Sequence, residues 1–163
     1  MKLQKILKRI VVLLVVVVCL ISNSSTVHAF SSTQKTKLPN TTYYLQSNVW
    51  QSNTLWWSTH EFKVSAKLYT SSECTTIAKA STIKTTWTYT PYGVAVSTPY
   101  FSAGIPTGNG FTGSWTNTNA WISDMSGTYK NAGGVIYSTL SNSAMAVKDG
   151  VKATVMAECL RLY

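Results

Sequence analysis

Near the C-terminus, Asp149-Gly150 stands between two β-compatible runs, Ser143 to Lys148 and Val151 to Leu160. An Asp-Gly pair in that setting predicts a tight hairpin, because the favoured two-residue turn needs positive φ at both central positions. After the turn, Val151, Ala153, Val155, Ala157 and Cys159 share one parity. Lys152, Thr154 and Glu158 share the other, interrupted by Met156. A period of two describes a strand with one buried face.

The same pattern recurs upstream. In Glu61 to Thr70, Phe62, Val64, Ala66 and Leu68 alternate with Glu61, Lys63, Ser65, Lys67 and Tyr69, so one face is core and the other wet and charged. Ser71-Ser72-Glu73 reads as a turn, and Thr75 to Thr90 as a Thr-rich strand with a break near Lys79 to Ser81. Pro91 and Gly93 turn the chain into a short strand at Val94 to Val96. Thr41 to Ser58 is aromatic-rich and suggests two short strands about a turn near Ser52-Asn53, with adjacent Trp56 and Trp57 on opposite faces. Ser97 to Gly134 is rich in Gly, Ser, Thr and Asn; a loop of that length is unusual in a compact domain, which predicts a concealed strand at Ser114 to Ile122. Val135 to Leu140 supplies another strand before the hairpin. No segment has a helical hydrophobic period. The expectation is an all-β antiparallel sandwich of about seven to nine strands, with a small β-barrel as the alternative.

The first 29 residues stand apart from this pattern. Lys2, Lys5, Lys8 and Arg9 precede an unbroken apolar run, Ile10 to Ile21, and Val27-His28-Ala29 fits a small-residue cleavage site. That is the layout of a secretory signal peptide of bacterial style, and the apolar run falls short of the roughly 20 residues of a spanning helix. The domain expectation is therefore a signal peptide over 1–29, a flexible leader over 30–40 and a single all-β domain over 41–163, secreted to the extracellular side. Past residue 29, ten basic residues face five acids, a net charge of +5. That balance favours anionic partners such as acidic wall polymers or anionic lipid. Two cysteines remain there, Cys74 and Cys159, and an even count in an exported domain predicts a disulfide between them. Such a bridge would set the C-terminal hairpin beside Glu61 to Thr70.

The most specific local pattern is Trp115-Thr116-Asn117-Thr118-Asn119-Ala120-Trp121. If extended, it puts Trp115, Asn117, Asn119 and Trp121 on one face. Indole rings stack on sugar rings, and Asn amides offer donors and acceptors to hydroxyls, so the row suits a glycan. The competing reading packs both Trp into the core. Tyr100 and Phe111 are further candidate binding aromatics, and rings of this kind also suit a bilayer interface.

Enzyme chemistry finds little support. Glycosidases use two carboxylates, and the acids past residue 29 are Glu61, Glu73, Asp124, Asp149 and Glu158, mostly explained by turns or wet strand faces. His60 is the sole His there; no Gly-x-Ser-x-Gly elbow accompanies it, and a metal site is short of ligands. No cofactor motif is present. The lysines are scattered and carry no nucleic-acid-binding signature. The sequence-level expectation is a secreted non-enzymatic protein that binds a cell-wall or cell-surface glycan, with a membrane-active bacteriocin or toxin-like protein as the rival.

Overall fold

The computed structural model describes residues 30–55, 58–102, 104–107 and 110–163, and only the backbone of 94–101, 106 and 133. The expected signal peptide and the Trp56-Trp57 pair lie outside the described residues. Among the described residues there are eight strands and no helix: β1 (Phe30–Lys37), β2 (Tyr44–Gln51), β3 (His60–Tyr69), β4 (Ala80–Phe101), β5 (Ile105–Thr107), β6 (Gly110–Ala120), β7 (Ile122–Lys148) and β8 (Val151–Leu162). All named pairings are antiparallel.

The strands form two layers, consistent with a sandwich and not closed into a barrel. The first layer is β1-β2-β3 and the start of β7, where Lys67 to His60 pair with Ile122 to Tyr129. The second is β8, the remainder of β7, the first part of β4, then β6 and β5. β7 runs through both layers and makes one hydrogen-bonded network of them. Register shifts between Tyr92 and Tyr100 of β4 mark where the β4–β7 pair bends from one layer to the other. Gly93 is required at that bend, since a Cβ there would lie 2.0 Å from the Gly134 carbonyl oxygen.

Two apolar clusters fill the space between the layers. One gathers Leu45, Ala66, Leu68, Ile83 and Ala146; the other gathers Val49, Phe62, Trp87, Tyr89, Tyr129 and Leu140. Their residues come from single parities of β2 and β3, as the period of two requires, while β7 turns odd-numbered Tyr129 inward in the first layer and even-numbered Leu140 and Ala146 inward in the second, the parity changing across the irregular part of its pairing with β4. Fully buried Asn142 ties the layers together in the middle. Its Nδ2 donates to Ser47 Oγ (3.0 Å) and to the Ser65 and Asn48 carbonyls (3.0 and 3.3 Å), and its Oδ1 accepts from Thr85 Oγ1 (2.5 Å).

The hairpin expected at Asp149-Gly150 is present, with φ of 51° and 78° at the two turn residues. Four expectations are corrected. Phe30–Lys37 is strand β1, paired along its length with β2, and not a flexible leader. The region 97–134 is mostly strand, shared among β4, β5, β6 and β7. The hairpin pairs within the second layer and packs across the core from β2, so it does not lie beside β3. Lastly, Cys74 and Cys159 are free thiols. Gln51 pairs with Phe62 and donates from Nε2 to Cys159 Sγ (3.2 Å), which places Cys159 at the Phe62 end of β3. Cys74 lies beyond Tyr69 at the other end. Seven strand steps from Phe62 to Tyr69 separate those ends by about 23 Å, far beyond the roughly 7 Å Cα separation a disulfide tolerates.

Candidate functional site

The residues of β2, β3 and β7 not used by the core point out from the first layer and meet in rows fixed by register. Trp50, Lys63 and Ser126 form one row; Asn48, Ser65 and Asp124 the next; Gln46, Lys67 and Ile122 the third. Across strands the rows are spaced by about 4.8 Å and along them by about 6.7 Å. A shallow groove of about 380 Å³ runs over this grid, lined by all of these except Gln46.

Packing and hydrogen bonds order its floor. Lys63 Nζ sits 5.2 Å from the Trp50 ring centroid, so the indole is held by a cation against one face. Thr33 of β1 donates to Asn48 Oδ1 (3.0 Å), and Asn48 Nδ2 donates to Ser65 Oγ (3.2 Å). Ser65 Oγ accepts that bond, and Ser65 shares its row with Asp124. Around it stand the Asp124 carboxylate, the Ser126 hydroxyl and the Lys67 ammonium. A planar ring beside a short row of amide, hydroxyl, carboxylate and ammonium groups can stack an apolar sugar face and bond its hydroxyls at the same time.

The residues singled out from sequence fall elsewhere and do not make one row. Trp115 lies on β6, 54% exposed, and its Nε1 donates to Asn117 Oδ1 (3.0 Å). Asn117 in turn donates to the Ile122 carbonyl (2.9 Å). The alternation then breaks: Asn119 adopts φ of 50°, and β6 ends at Ala120. Half-buried Trp121 sits in the bend between layers, its ring 6.5 Å from that of Tyr69. The structure thus brings Trp115 and Asn117 together and separates them from Asn119 and Trp121. Phe111 is corrected: it is 7% exposed and belongs to the core, because its partner Tyr89 faces inward and carries it along. The Tyr100 backbone pairs with Lys130, and its side chain is not described.

A second polar group lies inside the sandwich, at the end of β8. Arg161, 1% exposed, donates to the Ser52 carbonyl (2.5 Å), to the Thr54 carbonyl and to His60 Nδ1 (2.8 Å). Its guanidinium also lies 4.5 Å from the Tyr163 ring. Carbonyl dipoles and aromatic faces solvate this charge and anchor the chain that leaves β2. Nearby, Tyr129 donates to Gln51 Oε1 (2.8 Å). Burial, followed by the neighbouring Tyr163, pushes the Tyr89 and Tyr129 hydroxyls well above the ordinary tyrosine range. Burial likewise pushes the Cys159 thiol up to about 11, so it stays protonated at neutral pH.

Sequence reasoning assigned Lys63, Ser65 and Lys67 to a wet face but did not join them to Trp50, Asn48 or Asp124. The joining needs the register of β2, β3 and β7, and β7 lies about sixty residues further along the chain. The only local signal was the outward parity of Trp50 relative to Val49.

Fold and surface together define a two-layer antiparallel β protein with a polar and aromatic groove on one outer face. Comparison with protein-family models, with curated proteins and with solved structures finds no match.

Proposed function

We propose that this is a secreted, non-enzymatic protein that binds a cell-wall or cell-surface glycan in the groove over β2, β3 and β7. The observation that carries the reading is the Trp50 ring, braced by Lys63, at the head of the Asn48–Ser65–Asp124 row. The leader-like N-terminus supports export, and the net positive charge supports an acidic wall polymer as the carrier of the glycan. The absence of catalysis is supported by the spacing of acids. Glu61 and Asp124 are the carboxylates nearest the groove, and their registers differ by four residues, about 13 Å along the strand, against the roughly 5–9.5 Å of glycosidase pairs.

Co-sedimentation of residues 30–163 with purified cell walls tests this. Trp50→Ala should weaken binding about tenfold, a loss of about 1.4 kcal/mol. Trp115→Ala should leave binding intact. Equal binding by wild type and Trp50→Ala would overturn the assignment.

One observation favours a membrane reading instead. Tyr92 stacks on Tyr137 (4.5 Å between centroids, 12° between planes), and Leu160 and Leu162 stand exposed on the neighbouring strand. Such an apolar and aromatic patch suits a bilayer interface. Dye release from anionic liposomes, abolished by Leu162→Asp, would favour that reading over the glycan.

A further inference from the structure

The edges of the two layers are not equally protected. A sheet edge presents unpaired N–H and C=O groups, and charge, proline or short length usually blunts it. Edge strand β1 carries Lys35 and Lys37, β8 carries Lys152 and Glu158, and β5 is three residues long with Pro106 in it. β6 differs. β5 covers it only at Gly110 to Thr112, so Gly113 to Ala120 have no strand on that side among the described residues. The sequence of β6, Gly110 to Ala120, contains no charge and no proline.

Pro106 fixes which groups are open. It has no N–H, so the doubly bonded pairs of the β5–β6 ladder are Ile105 with Thr112 and Thr107 with Gly110. The alternation continues to Ser114, Thr116 and Thr118, whose N–H and C=O groups therefore face the open side. The odd-numbered residues face β4 instead. No turn or side chain among the described residues takes the open groups. Ser114, Thr116 and Thr118 are all exposed.

We propose that this edge pairs with the same edge of a second copy, antiparallel about a two-fold axis through Thr116. Three features of this edge select a second copy as the occupant. Ser114 would face Thr118 of the second copy and join the hydroxyl rows that Thr86 makes with Ser114 and Thr82 with Thr118; cross-strand pairs of this kind are favourable. Trp115 would face the second copy's Asn117, offering between chains the indole-to-amide bond that exists within one chain at 3.0 Å. Nor does like charge oppose the pairing. The nearest cation, Lys84, lies one strand inward opposite Thr116, so two such lysines would stand about 14 Å apart, beyond the roughly 8 Å screening length at physiological salt. The resulting dimer has one continuous second layer and two outer-face grooves, which would give bivalent contact with a polymer.

The test is sedimentation velocity of residues 30–163, which hold all eight strands, from low micromolar to submillimolar concentration. Amide hydrogen exchange is followed at Ser114, Thr116 and Thr118 alongside. The expected result is a monomer–dimer equilibrium, with exchange at those three amides slowing as the dimer forms. Thr116→Lys and Thr116→Pro should each weaken it at least tenfold, while Thr86→Lys, on the same face but inside the sheet, should not. A monomer at every concentration with fast exchange at all three amides would overturn the proposal. So would a dimer that survives both Thr116 substitutions with unchanged circular dichroism, or an edge protected only by a foreign extended peptide.

Discussion

At the scale of single residues, the two cysteines show how address and geometry can disagree. Compartment and even count both favour a bridge, yet the strand register holds Cys74 and Cys159 at opposite ends of β3. Register outranks composition here, because a disulfide needs its two Cα atoms within a few ångströms and no side chain can reach across the layer. Two free thiols should therefore be found in the native, non-reduced protein. Cys74 is half-exposed and should react with a thiol reagent under native conditions; Cys159, buried and held protonated, should react only after unfolding. Intact mass after alkylation, with and without denaturant, checks both statements.

At the scale of elements, legibility followed hydrophobic contrast. β3 and β8 alternate strongly between apolar and charged residues, and their faces could be read directly. The hairpin turn was equally clear, because Asp149-Gly150 has a backbone reason to be there. β1 was missed because its two faces differ little in polarity: Ser32 and Thr36 point inward and Thr33 and Lys35 outward. β6 was anticipated but displaced, since Asn119 in the left-handed region ends the alternation before Trp121. Asn142 belongs to this scale too, because one amide joins β7 to β2, β3 and β4. Asn142→Ala would leave the buried Thr85 hydroxyl without its acceptor and remove the amide donated to Ser47, Asn48 and Ser65, and should cost roughly 2–4 kcal/mol of stability. Urea unfolding at neutral pH measures this, and a loss under about 1 kcal/mol would show the clamp to be dispensable.

At the scale of the whole molecule, the sandwich class was legible because no helical period competes with the strand pattern. The groove was not, because it exists only once β2, β3 and the start of β7 lie side by side. The interior also sets a pH limit. The Cys159 thiol rises from an ordinary 9.0 to about 11 on folding, and the Tyr89 and Tyr129 hydroxyls rise above an ordinary 10.0. These acids bind their protons more tightly when folded, so their contribution is complete below pH 9.0 and is lost as pH climbs through about 11. The urea midpoint should be level from pH 7 to 9 and fall steeply above, with Cys159 alone accounting for on the order of 2 kcal/mol. A midpoint unchanged at pH 11 would contradict that account of the interior.

The proposed glycan site is the outer face of the first layer. Its most direct test is a titration of isotope-labelled residues 30–163 with soluble cell-wall glycan fragments, followed by amide and indole shifts in NMR spectra. Saturable shifts are expected at Asn48, Trp50, Ser65, Lys67 and Asp124, with the Trp50 indole moving most. Shifts confined to Trp115 and Asn117, to the Tyr92–Tyr137 patch, or to no residues at all would contradict it.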